Sequence, residues 1–176
     1  MHDGRMKTLH VMRHAKSRRD NAKLEDHARP LSPRGIEDGM AVAEHCAKAG
    51  IQPDLILCSS AVRTRATLAL LLPYLAVPRI QVERGLYLAS VGDLFARVRE
   101  VDDDCASVMV IGHNDDLHEF ARALAGAGDA ALRARLDGKF PTSALASLTI
   151  ETPSWHQLAP GAGTLVGLVT PKDLHC

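Results

Sequence analysis

Three short stretches of this 176-residue chain combine residue types that suit anion chemistry. "LHVMRHAKS" (9–17) runs from apolar residues into Arg13 and His14. "DLILCSSAVRTR" (54–65) does the same, ending in Cys58, Ser59 and Ser60 with Arg63 and Arg65 one turn further on. "VIGHND" (110–115) closes on Gly112, His113 and Asn114. Each apolar part reads as a buried strand and each polar part as its carboxyl end. In open α/β sheets the ligand sits beyond those ends. If the strands run parallel, two histidines and two or three arginines meet in one crevice, beside helix N-termini with free N–H groups. That combination suits phosphate. An arginine in a first helical turn opposes the positive helix end, so Arg63 makes electrostatic sense only with something negative nearby. Taken singly, each histidine is more simply a hydrogen-bonded structural residue. The coincidence at three strand ends makes the functional case.

The elements that must position these groups follow from apolar spacing and punctuation. Residues 7–12, 54–58, 79–83 and 107–112 read as strands, with residues 1–6 as an extension before the first. Helices are expected over 34–49, after Ser59 or Ser60 as cap, over 91–101, over 115–126 and briefly after residue 129. The first has Ser32 as N-cap, Pro33 in its first turn, Ile36, Met40, Ala43 and Ala47 at helical spacing, and Gly50 as its stop. The stretches 144–151 and 164–170, joined by a short Pro/Gly loop, should pair antiparallel at one edge. The fold expected is an α/β three-layer sandwich in a single domain over 1–176, with a mostly parallel central sheet, helices on both faces and an antiparallel edge.

Bulk properties narrow the function. Lys plus Arg and Asp plus Glu both number 21, so zero net charge gives no support to nucleic acid or an anionic membrane as partner. No apolar run approaches the ~20 residues that span a bilayer, and no secretory signal is visible. Four widely spaced cysteines without a CxxC pair read as reduced thiols in a cytoplasmic protein.

The three motifs carry a resemblance. "MRHAKS" resembles the Arg-His-Gly signature of the histidine phosphatase (phosphoglycerate mutase-like) superfamily, with Ala15 where Gly is usual. "CSSAVRTRAT" is similar to its second block and "VIGHND" to its second-histidine block. "DHARPLSPRG", "LYLAS" and "KFPTSALASLTI" resemble the SixA-type phosphohistidine phosphatases. The likeness spans residues 7 to about 150. It implies that His14 is a nucleophile that carries the phosphoryl group, that Arg13 and Arg63 bind phosphate, and that His113 clamps it as a cation or donor. Ser17 is a further phosphate-binding candidate. Glu83 sits where mutase-like relatives place an acid, and as a surface glutamate at a strand end it is equally well explained. The implied scheme needs no metal and no cofactor. The substrate expected is a phosphohistidine-bearing protein, with a small phosphate ester or a non-catalytic phosphate-binding role as alternatives. Lys16, Arg18, Arg19 and Arg34 could form a basic rim. A cysteine-based phosphatase does not fit, because Arg63 and Arg65 miss the required spacing from Cys58. A metal hydrolase built on His113 and His118 misses the three- or four-residue helical spacing.

Overall fold

The computed structural model describes residues 5–76 and 78–175. A seven-stranded sheet runs in the order β3-β2-β4-β1-β6-β7-β5. Its strands are β1 (Met6–Arg13), β2 (Leu55–Ser59), β3 (Arg79–Glu83), β4 (Ser107–Gly112), β5 (Ala125–Gly128), β6 (Leu145–Glu151) and β7 (Gly163–Val169). β1, β2, β3 and β4 pair parallel, and β6 runs antiparallel to both β1 and β7. This is the mixed α/β sheet expected, with its antiparallel part on the β6 side.

Strand residues alternate between two cores, as a pleat requires. Leu9, Val11, Leu55, Leu57, Val108 and Val110 face one side, under α3 (Val91–Arg99), α4 (Asp116–Leu124) and α5 (Ala130–Gly138). Met12, Ile56, Cys58, Met109 and Ile111 face the other, under α1 (Pro33–Lys48) and α2 (Val62–Leu71), with the short α6 (Pro171–Leu174) packed on α1. The parallel block therefore sits between helical layers, and the ends of β1, β2 and β4 emerge side by side.

Four local expectations change. Met6 belongs to β1, paired with Glu151, so the strand starts one residue earlier than the sequence suggests; residues 1–4 of the expected extension lie outside the described residues. The helix expected over 115–126 stops at Leu124, and Ala125–Gly128 forms β5 along β7. Ala and Gly have poor strand propensity; here close packing wins, since a Cβ on Gly126 would lie 2.1 Å from the Gly161 carbonyl oxygen. Ile36 and Met40 are 43% and 44% exposed. α1 buries its small face instead, through Gly35, Gly39, Val42, Ala43 and Cys46; a Cβ on Gly35 would strike the Lys16 backbone and one on Gly39 would strike Leu70 of α2. Finally, α2 is capped by Ala61 without a side-chain bond, since Ser59 and Ser60 are used elsewhere.

Candidate active site

His14 follows β1 directly and is fixed from three sides. Its N–H donates to the Gly112 carbonyl at the end of β4 (3.1 Å), and its carbonyl accepts from the Ser143 N–H (3.1 Å). The next amide, Ala15, donates to Thr67 Oγ1 on α2 (2.9 Å), while that hydroxyl donates to the Arg63 carbonyl (2.7 Å). Thr67, the last residue of the "CSSAVRTRAT" block, thus ties the helix that carries Arg63 to the peptide after His14. The ring Nδ1 lies 2.7 Å from the Ala15 carbonyl oxygen, which can only accept, so the neutral ring carries its proton there and leaves the Nε2 lone pair free. Burial holds the ring's pKa down to about 4, with the positive Arg63, Arg13 and Arg29 acting in the same direction. His14 is therefore a neutral base at physiological pH whose lone pair lies on Nε2.

Arg63 is 3% exposed and donates to His14 Nε2 from Nε (3.4 Å). Its other nitrogens reach Asp26, to the carbonyl at 2.7 Å and to the carboxylate at 3.1 Å. The Asp26 carboxylate also accepts from the Tyr87 hydroxyl and from Arg29 (Nη2, 2.9 Å). Those donors, the Tyr87 hydroxyl first, hold the Asp26 carboxyl well below the usual carboxylate range. Asp26 is thus the negative group that the unusual placement of Arg63 demanded. Neither Asp26 nor Tyr87 was singled out from sequence; each lay inside a stretch of subgroup resemblance ("DHARPLSPRG", "LYLAS") without a role.

His113 follows β4, its ring 5.3 Å from that of His14, with Nε2 2.7 Å from the Ser59 hydroxyl and the Tyr87 ring edge-on at 5.4 Å. Burial, then the nearby positive Arg63, pushes its pKa down to about 3. Of the two forms expected for His113, cation or donor, burial favours the neutral donor when no ligand is bound. Arg13 extends to the Phe140 carbonyl (3.2 Å), shared with the Asn114 side chain (2.8 Å). Among the described residues, the buried side-chain atoms without a partner are Arg13 Nε, His113 Nδ1, Asn114 Oδ1 and Ser143 Oγ. All four belong to residues that flank or touch the ends of β1 and β4. Leaving one such group unpaired costs about 1–3 kcal/mol, so their clustering marks a place built to receive a polar ligand.

The family model of the histidine phosphatase superfamily (branch 1) matches residues 9–140. The chain is a member of the histidine phosphatase superfamily. An uncharacterized protein of Mycobacterium tuberculosis is 37% identical over 164 residues, covering 92% of this chain and all of that relative. Among solved structures, a candidate SixA phosphohistidine phosphatase from Nakamurella multipartitia superposes with a TM-score of 0.80 at 26% identity, over 94% of this chain and 96% of the other. The protein histidine phosphatase SixA complexed with tungstate gives 0.76 at 25% identity, over 95% and 99%.

In this histidine phosphatase an open groove of about 620 Å³ leads to His14, lined also by Arg13, Lys16, Ser17, Arg18, Arg19 and Thr142. Arg13, His14, Arg63 and His113 are brought together as expected. Ser17 lines the groove, yet its hydroxyl is engaged by Arg29. Lys16, Arg18 and Arg19 form the rim; Arg34 instead pairs with Asp38 (3.5 Å). The structure does not favour Glu83 as the acid. Arg97 on α3 holds both its oxygens, at 2.6 and 2.9 Å, and no hydrogen bond joins it to the histidines. Cys58 is fully buried with its thiol pushed up to about 12 by burial, which fits a core residue and not a nucleophile.

Proposed function

We propose that this protein hydrolyses a phosphoryl group through a phosphohistidine intermediate on His14, acting on the phosphohistidine of another protein. The observation that carries the reading is the state of His14: neutral, with Nδ1 tied to the Ala15 carbonyl and the lone pair on Nε2, met by Arg63 only at 3.4 Å and beside the His113 ring. Such a nitrogen attacks phosphorus in line, and the bond to the leaving group breaks as the new P–N bond forms. Arg13 and Arg63 then face the equatorial oxygens, where fixed guanidinium donors balance developing charge. Water later attacks the phosphoryl group on His14, returning free imidazole and phosphate. The tungstate bound by the SixA relative is a tetrahedral oxyanion of the same shape as phosphate.

The leaving group decides the substrate class. An alkoxide must be protonated as it departs, and a positioned acid is worth on the order of 10²–10⁴-fold. Here Asp26 is held ionised by Tyr87, Arg29 and Arg63, and Glu83 is held by Arg97. Asp26 therefore offers no proton, and Glu83 is turned to Arg97 and not to the histidines. Phosphohistidine tolerates this, because its P–N bond breaks readily once the departing imidazole is protonated by solvent. The open groove likewise fits a residue projecting from a folded partner better than a small ester that must be enclosed. The test is a side-by-side assay of a phosphohistidine protein against a panel of phosphate esters, with acid-labile phosphoenzyme trapped and mapped. Preference for the protein with label on His14 is expected. Faster ester turnover would assign a phosphomonoesterase, and binding without phosphate release would remove catalysis altogether.

A further inference from the structure

The groove at His14 carries more positive charge than one phosphoryl group requires. Arg13 faces the phosphoryl site and Arg18 is paired with Asp20 at 2.8 Å. That leaves Lys16 and Arg19, both exposed on the same groove; among the described residues neither side chain makes a hydrogen bond or ion pair. Their charge is local, because the chain as a whole is neutral. It also reaches the phosphate site, since Arg19 is one of the positive groups that bear on Arg13.

Lys16 is not on a loose loop. Its carbonyl accepts from the Ser32 N–H (2.9 Å) and the Ser32 hydroxyl (3.2 Å). Gly35 packs so tightly on it that a Cβ would lie 2.0 Å from the Lys16 oxygen. Neighbouring Ser17 bridges to Leu31, and the Arg18 N–H donates to Pro30 (2.8 Å). The backbone is fixed against the start of α1 while the ammonium stays free. A cation placed by a rigid backbone and given no internal partner is arranged for an external one.

We propose that Lys16 and Arg19 form a second anion subsite, which takes the carboxylates of acidic residues flanking the phosphorylated histidine in a protein substrate. This deepens the reading of the substrate given above and rests on it. The occupant follows from charge complementarity: a phosphohistidine seated at His14 lays its flanking residues along the groove, and acidic side chains there meet two unpaired cations.

The test uses two phosphohistidine peptides that differ only in flanking Asp and Glu against Asn and Gln. At low ionic strength kcat/KM for the acidic peptide should be about three- to tenfold higher, the scale of two exposed ion pairs, with the difference in KM. About 0.5 M salt should erase the preference. The double variant Lys16→Gln/Arg19→Gln should lose it while still forming phosphoenzyme on His14. Equal kcat/KM in the parent, or a preference that survives in the double variant, overturns the subsite. Fluorescence anisotropy of labelled unphosphorylated copies reads the subsite without catalysis. If neither peptide is hydrolysed, the proposed substrate fails; the subsite then stands only if the parent binds the acidic copy more tightly than the double variant does.

Discussion

The two ends of the parallel strands both gather polar groups, and they behave differently. At the amino ends of β1, β2 and β4, Lys7 is almost fully buried against Asp103 (3.7 Å) and over the Trp155 ring (5.3 Å). Trp155 donates to the Cys105 carbonyl from its indole (2.7 Å) and to Asp103 from its backbone (2.8 Å), and Asp54 accepts from Ala106 and Ser107. At the carboxyl ends lie His14, Arg63 and His113, together with every partnerless buried side-chain atom found among the described residues. The first end is a closed network that holds the sheet; the second is left incomplete. The same contrast separates His10 in β1 from His14 just beyond its end. His10 and His14 are both buried and both pushed down to about 4, yet His10 Nδ1 is held by Ser147 at 2.7 Å, while His14 Nε2 meets only a long 3.4 Å bond from Arg63 beside the groove. Burial and a shifted pKa alone do not make a functional histidine; a loosely held lone pair among cationic donors does.

The sharpest way to break this contrast is to cut each end. His14→Ala should lower phosphate release by at least on the order of 10⁴-fold and abolish phosphoenzyme, with a melting temperature near the parent's. Near-normal activity would remove His14 as the nucleophile. Trp155→Ala should do the reverse, destabilising by about 3–5 kcal/mol in urea unfolding while the remaining folded protein keeps its activity. Next in size is Arg63→Lys. It keeps the charge and loses the fork that spans His14 and Asp26, so kcat should fall by about 10²–10³. Retention of more than about a tenth of parental kcat would show that charge alone suffices there.

Acid titration sharpens the comparison further. His10, His14 and His113 are held neutral in the fold with pKa values of about 4, 4 and 3, whereas an unfolded histidine takes up its proton near 6.5. The unfolded chain therefore binds more protons as pH falls. The stability each histidine lends is complete above pH 6.5 and is lost as pH drops toward 4. Urea unfolding at pH 7.5 and pH 5 should differ by about 1–2 kcal/mol per histidine. His10→Asn should remove its share of that slope and leave turnover unchanged. A loss of turnover would place His10 in the site after all.

The strand ends are legible because chemistry and apolar pattern coincide there: Arg13-His14 and His113 close runs of core residues, and Arg63 lies in the first turn of the helix after β2. Asp26 and Tyr87 were not, since they reach Arg63 only through tertiary contact, Asp26 from 37 positions away, and no periodicity marks that approach. The Lys7–Trp155 network was silent for the same reason. β5 was hidden by its composition, Ala-Gly-Ala-Gly, which forms a strand only because the Gly161 loop packs against it. Ser59 and Ser60 looked like caps from their position before α2, while the fold turns them toward His113 and His27.

The smallest expected effect settles the proton donor. Glu83 opposes Ser59 in the β2–β3 register, one residue pair from the His113 contact, so strand position alone makes it a fair candidate acid. Both its oxygens, however, accept from the single Nε–H of Arg97, whose Nη2 donates to Gln81 (2.6 Å). A carboxyl group turned to Arg97 and away from His14 and His113 is badly placed to donate a proton, and both partners are partly exposed, so the pair contributes at most about 1 kcal/mol to stability. Glu83→Gln should therefore change turnover of a phosphohistidine substrate less than about twofold and lower stability by no more than that amount. A fall of 10²-fold or more confined to ester substrates would mean that Arg97 releases Glu83 when the site is filled. That outcome would extend the incomplete end of the sheet to β3 and move the assignment from phosphohistidine to phosphate esters.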